Sequence, residues 1–221
     1  MRVSTGALIT LSLFSAAGLH AQELREDSFK WFVGAQGGIL MFETQTQTRS
    51  SIPSGGMHVL VIAKRAGLQI SVDEALGSEE SSAFGDSNAP NGTREVTFDR
   101  LRKYTATAMG FPLKNTKVDP FLGVGLGILH TVGTEVVGTF TTPQAAAIAQ
   151  ERAVQAGSTG FISFLGGVQY RVSPRWVIYG QYQITNSPAA GKLLVGPTHA
   201  ITAGIRFSLG SAKEGLHGGG Y

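Results

Sequence analysis

The chain has no cysteine among its 221 residues. The protein then holds together without disulfides and offers no thiolate to a metal or a substrate. Charge is scarce as well: Asp, Glu, Lys and Arg make up 15% of the residues, and the net charge is only +3. The one cationic cluster, Arg94, Arg100, Arg102 and Lys103, is too small for a nucleic-acid footprint. A long apolar run is the third absence. The stretch from Ala7 to Phe14 falls well short of the about 20 residues that a membrane helix needs, and no other segment reaches that length. If the chain enters a membrane it must do so as strands closed into a cylinder, because lipid offers no partner to unpaired backbone groups.

What is present begins with a leader. Arg2, the apolar run to Phe14 and then Leu19-His20-Ala21 fit a secretory signal over 1–21, with the mature chain starting at Gln22. The remaining residues suit one domain. Eight strands of about ten residues with generous loops use up 22–209, and 210–221 is read as a flexible tail.

Apolar residues recur with a period of two in eight segments: about 29–42, 57–64, 67–74, 95–109, 120–130, 160–172, 175–185 and 198–209. The connections alternate in length. Arg65-Ala66 and Ser173-Pro174 are turn-sized, whereas the polar stretches 44–56, 75–94 and 132–158 are long. Segment 120–130 is the clearest, with Leu122, Val124, Leu126 and Ile128 alternating with Gly123, Gly125 and Gly127. One face is greasy and the other is empty, which suits a narrow barrel where opposing walls crowd together. In the third long connection, Thr142 as N-cap, Pro143 in the first turn and Gly157 as C-cap predict a short helix. The expected fold is therefore all-β: an eight-stranded antiparallel up-and-down transmembrane β-barrel with long extracellular loops and one short helix in the third loop.

Aromatic residues sort by height along these strands, as interfacial belts would. Phe29, Trp31, Phe111, Phe121, Tyr170, Trp176 and Phe207 fall near the short-turn rim, and Phe42, Phe98, Phe161 and Tyr182 toward the other. By alternation Gln36, Gln69, Ser71, Asp73, Gln169, Arg171, Gln181, Gln183, Thr202 and Arg206 point inward. They read as a polar column with few apolar members, interlocked as a plug, since eight strands enclose a lumen that side chains just fill.

Two stretches carry a family likeness. Asp119-Pro-Phe-Leu-Gly-Val-Gly-Leu-Gly127 resembles the Pro-aromatic-x-Gly-x-Gly-x-Gly strand of small outer-membrane barrels, and Gly166-Gly-Val-Gln-Tyr-Arg-Val-Ser-Pro174 leads similarly into the next strand. Thr202, Gly204, Phe207 and Leu209 resemble the terminal signal that barrel-assembly machinery reads. The chain is thus similar to the eight-stranded OmpA-like and OmpX-like class, the outer membrane protein beta-barrel domain. It departs from many relatives in continuing past the terminal aromatic.

The resemblance implies a bacterial outer-membrane location, outer-membrane lipids and lipopolysaccharide as partners, assembly machinery during insertion, a monomer and no cofactor. The expected role is non-enzymatic, structural or surface-binding. Arg94, Arg100 and Arg102 are candidates for gripping lipopolysaccharide phosphates, because guanidinium forks match phosphate oxygens. Three other roles compete: a narrow OmpW-like channel for ions or small apolar solutes, a lipid A-modifying enzyme using His58, His130 or His199, and a soluble lipocalin-type barrel. An enzyme needs a nucleophile and base within hydrogen-bond reach, and no motif marks out a serine.

Overall fold

The structure, a computed structural model, describes residues 29–113 and 117–211. The leader at 1–21, the beginning of the mature chain and the tail beyond Ser211 lie outside the described residues. The elements are β1 (Lys30–Thr44), β2 (Ser50–Ala63), β3 (Ala66–Gly85), β4 (Thr93–Gly110), β5 (Val118–Val132), β6 (Glu135–Val136), α1 (Pro143–Ala156), β7 (Ser158–Arg171), β8 (Trp176–Thr185) and β9 (Leu194–Ser211).

Each long strand pairs antiparallel with its neighbours in the chain, β5 pairing with β7. β9 returns to β1, with Gly34 opposite Arg206 and Gln36 opposite Gly204. Closure leaves these eight strands without a free edge over their shared length, which is how a sheet satisfies its backbone in lipid. β6 is a two-residue addition that pairs Val96 with Val136 above the barrel.

At one end the connections are short. Lys64 and Arg65 alone join β2 to β3, and Lys64 adopts φ 52°, the left-handed conformation that a two-residue primed turn requires at its first position. At the other end the strands run past the expected loops. β2 begins at Ser50 and β3 continues to Gly85, so the polar stretches 44–56 and 75–94 shrink to connections at 45–49 and 86–92. β9 likewise starts at Leu194 instead of 198. The β3–β4 hairpin tolerates its polar sequence because it has a core of its own, with Phe84 and Val96 packed against Ala149, Ala153 and Leu193.

The expected helix forms. The Thr142 side chain accepts from the Ala145 N–H, and Gly157 donates to the Ala153 carbonyl at 2.9 Å. Gly157 is needed for space: a Cβ there would collide with the Thr131 hydroxyl. Gln150 docks the helix on the rim, its Nε2 donating to the Thr134 carbonyl (2.6 Å) and its Oε1 accepting from the Val136 N–H (3.3 Å).

Alternation divides the barrel wall. Leu122, Val124, Leu126 and Ile128 are exposed on the outside, as are Leu68, Ile70, Val72, Phe164 and Ile205. Gly123, Gly125 and Gly127 face inward, where Thr107, Ser163 and the Phe161 ring occupy the space a side chain would fill. The outside is therefore apolar where a lipocalin's would be charged.

The lumen departs from the expected polar column. It is layered: Phe32, Leu60, Met109, Phe111, Phe121, Leu165, Val177 and Tyr179 fill the short-turn end. Leu40, Phe42, Ile52, Ala75, Phe98, Leu101, Leu129, Phe161, Leu194 and Ala200 fill the loop end. The polar residues lie between these two layers. The aromatic sorting is corrected in the same way. Phe111, Phe121, Phe42, Phe98 and Phe161 sit at the expected heights but point into the barrel, buried, so the outer belts consist of Phe29, Trp31, Tyr170, Trp176 and Phe207 at one rim and Tyr104 and Tyr182 at the other.

Candidate functional site: the lumen and the outer rim

Arg206 is completely buried and organises the lower half of the polar layer. Its Nε donates to His58 Nε2 (3.1 Å), its Nη1 to Gln169 Oε1 (2.7 Å) and its Nη2 to Gln69 Oε1 (3.0 Å). The guanidinium lies 3.9 Å from the centroid of the Tyr179 ring and 5.3 Å from that of Phe121, a cation–π arrangement strengthened by the dry surroundings. His58 packs edge-on to Tyr179. Gly34 makes room for this assembly, since a Cβ there would meet the His58 ring.

The network continues upward. The Tyr179 hydroxyl donates to Gln36 Oε1 at 2.5 Å, and Gln36 Nε2 donates to Asp73. Asp73 also accepts from Ser71 (3.3 Å) and faces Lys103 Nζ (3.8 Å), which donates to Gln183 Oε1 at 2.6 Å. One connected set of polar groups thus crosses the lumen from Gln169 to Gln183. A cavity of about 10 Å³ lies against Ser54, Asp73, Lys103 and Thr202, room for a single water molecule and not a conduit.

Of the residues expected in this network, Gln36, Gln169, Gln183 and Arg206 take part as described. Gln181 is buried in the lumen, but its Oε1 makes no hydrogen bond. Arg171 does not belong. It has the right alternation but the wrong height, sitting exposed at the short-turn mouth with its Nη2 on Asp119 Oδ2 at 3.1 Å. Lys103 and Tyr179 were missed as members. The signal was available for both: Lys103 alternates in phase with Leu101 and Thr105, and Tyr179 with Gln181 and Gln183.

The three candidate arginines separate. Arg94 is largely buried and turned to internal work: its Nε donates to Asp86 Oδ2 at 2.7 Å, and its guanidinium covers the Phe140 ring at 4.3 Å. Asp86 also faces Arg152 (3.5 Å) and accepts from the Asn88 N–H (3.0 Å). The hydrogen bond from Arg94, then that from Asn88, hold the Asp86 carboxyl below the usual carboxylate range. Arg100 and Arg102 remain on the outside, both reaching Glu74 at 3.0 Å. Ladder partners extend this row, Arg102 lying opposite Glu74 on β3 and His130 on β5, one step above the exposed Tyr104.

The histidines do not converge. His58 is inside, while His130 and His199 are outside on strands that are not neighbours. Nδ1 of His199 is hydrogen-bonded by the Tyr182 hydroxyl at 2.5 Å.

Apolar outer wall, closed ladder and filled lumen define the class: this is a small eight-stranded β-barrel with the fold of outer-membrane barrels. Among solved structures, neisserial surface protein A (NspA) matches with a TM-score of 0.53 at 15% identity, over 80% of this chain and 96% of its own. OprG from Pseudomonas aeruginosa matches with a TM-score of 0.43 at 10% identity, over 83% of this chain and 97% of its own. Ail from Yersinia pestis gives 0.40 at 14% identity, over 82% and 99%. No protein-family model matches the sequence, and neither does any curated protein.

Proposed function

We propose that the protein is a non-enzymatic, integral outer-membrane barrel with a sealed lumen and a structural or surface-binding role in the cell envelope. It is exported behind the leader at 1–21 and inserted with its short turns toward the periplasm. The observation that carries this reading is the combination of an apolar outer wall with a lumen closed twice, by the Phe121 layer and the Phe42 layer. An outward belt of Leu, Val and Ile is costly in water and favourable against acyl chains, and a lumen filled by side chains gives ions no path. In this reading Arg100 and Arg102, which reach Glu74 on the outer face with His130 beside them, are the residues through which lipopolysaccharide phosphates are bound.

Extraction and conductance test the reading together. The protein is expected to stay with the membrane pellet through high salt and alkaline carbonate, to leave only with detergent, and to migrate differently on gels when unboiled. In planar bilayers it should give no current above background. Release without detergent would overturn the membrane assignment, and steady conductance would establish the channel instead.

A further inference from the structure

Among the described residues the two ends of the barrel differ in charge, and the excess of cations is at the short-turn end. Lys30, Lys64, Arg65, Lys117, Arg171 and Arg175 are all exposed there, whereas Asp119, hydrogen-bonded to Arg171, is the single acidic residue described at that end. The loop end has more carboxylates than cations, so the excess is not a property of the whole surface. The position of the ring is also specific. Lys30 precedes Trp31, Arg171 follows Tyr170 and Arg175 precedes Trp176, while Lys117 precedes Val118, whose ladder partner is Tyr170. Trp31, Tyr170 and Trp176 are half-exposed on the outer wall, and Trp176 packs on Phe207 with ring centroids 4.9 Å apart.

Aromatic residues of this kind settle at the boundary between acyl chains and headgroups. At about 3.3 Å per strand residue, a cation one position further out lies at the depth of the lipid phosphates; Lys30, Lys117 and Arg171 alternate with the outward Trp31, Val118 and Tyr170 and so rise from the mouth of the barrel, from where their long side chains reach across the rim. We infer that the short-turn rim is a binding ring for the phosphates of anionic phospholipids in the leaflet that surrounds it, fixing the depth and tilt of the barrel. This rests on the membrane reading above but not on its role in the envelope. The acidic groups of a cell-wall polymer are a less suitable occupant, because the cations border the aromatic belt instead of standing clear of it.

The test uses the mature protein in nanodiscs of phosphatidylcholine, with and without phosphatidylglycerol. Lipids retained in native mass spectra and the temperature at which the unboiled gel form is lost are the two readouts. Phosphatidylglycerol should be retained over phosphatidylcholine with about fivefold preference for each cation engaged. It should also raise the transition temperature, and about 1 M salt should remove that gain through screening. The variant Lys30→Gln/Arg65→Gln/Lys117→Gln/Arg175→Gln should lose both effects, whereas Arg49→Gln/Lys192→Gln at the opposite end should keep them. Equal retention of the two lipids by the wild type overturns the inference even if the quadruple variant fails to fold. So does an undiminished preference in that variant, or binding to purified cell-wall sacculi that needs these cations in the absence of a lipid effect. Failure of the wild type to enter either nanodisc would instead overturn the membrane reading itself.

Discussion

Arg206 is a buried charge whose three hydrogen-bond acceptors are neutral, so its replacement decides whether hydrogen-bond saturation or the cost of burying a cation dominates the lumen. In Arg206→Met the groups left behind are His58 Nε2, Gln169 Oε1 and Gln69 Oε1, now at 2.7–3.1 Å from nothing that donates. Each stranded acceptor costs about 1–2 kcal/mol, or about 3–6 kcal/mol together. The cation–π contacts with Tyr179 and Phe121 are lost as well. Against this, methionine removes the desolvation cost of the guanidinium, which is several kcal/mol before compensation. The balance is a net loss of about 2–3 kcal/mol. With a urea slope of about 1–3 kcal/mol/M, the unfolding midpoint in lipid vesicles should fall by about 0.7–3 M. The triple variant Arg206→Met/Gln69→Leu/Gln169→Leu separates the terms, since replacing donor and acceptors together by apolar groups is nearly neutral. It should recover part of the loss and end about 1–2 kcal/mol below the wild type, because His58 Nε2 is still stranded. A single variant as stable as the parent, or a triple variant no better than the single one, would refute the argument that saturation holds this layer together.

Val124→Arg places a cation in the middle of the apolar wall and should cost about 2–4 kcal/mol in a bilayer, against the about 0.5 kcal/mol expected of a water-facing position; folding yield in vesicles reads the difference. Gly34→Ala drives a methyl group into the His58 ring and the Ile205 carbonyl, and overpacking of this kind should lower the urea midpoint by the equivalent of about 1–3 kcal/mol. Asp86 secures the hairpin tip to Arg94 and Arg152. Because its folded pKa is depressed, the stability it contributes is complete above the ordinary carboxylate pKa of about 4 and is lost as pH falls through the lower folded value. Pepsin should therefore cut the 86–92 connection and α1 in the wild type only well below pH 4, whereas Asp86→Asn should be open to proteinase K already at neutral pH.

The sequence made the wall of the barrel readable because aliphatic side chains recur at alternate positions along it. Leu122 to Ile128 shows it in full, and the helix ends at Thr142 and Gly157 follow equally local rules. The lumen obeys no such rule. Phe121 and Gln169 occupy equivalent inward positions, and only the way side chains interdigitate across the cylinder decides that large apolar groups collect at its two ends. The strand extensions at Ser50–Ser54 and Leu76–Gly85 were illegible for a related reason. They lie toward the loop end, where alternation lapses, the first held by Ile52 in the loop-end layer and the second by packing of Phe84 against Ala149, Ala153 and Leu193. Arg94 looked like a surface residue because its partner, Asp86, becomes visible only when the hairpin register is known.

The absence of cysteine allows the most direct examination of the wall itself. Single cysteines at positions 121, 122, 124, 126, 128 and 129 of β5, each labelled with a fluorophore, can be placed in bilayers containing brominated acyl chains. Quenching should alternate, strong at 122, 124, 126 and 128 and absent at 121 and 129. Uniform quenching, or labelling of 124 and 126 by a water-soluble reagent in native membranes, would show that the aliphatic face of this strand does not meet lipid.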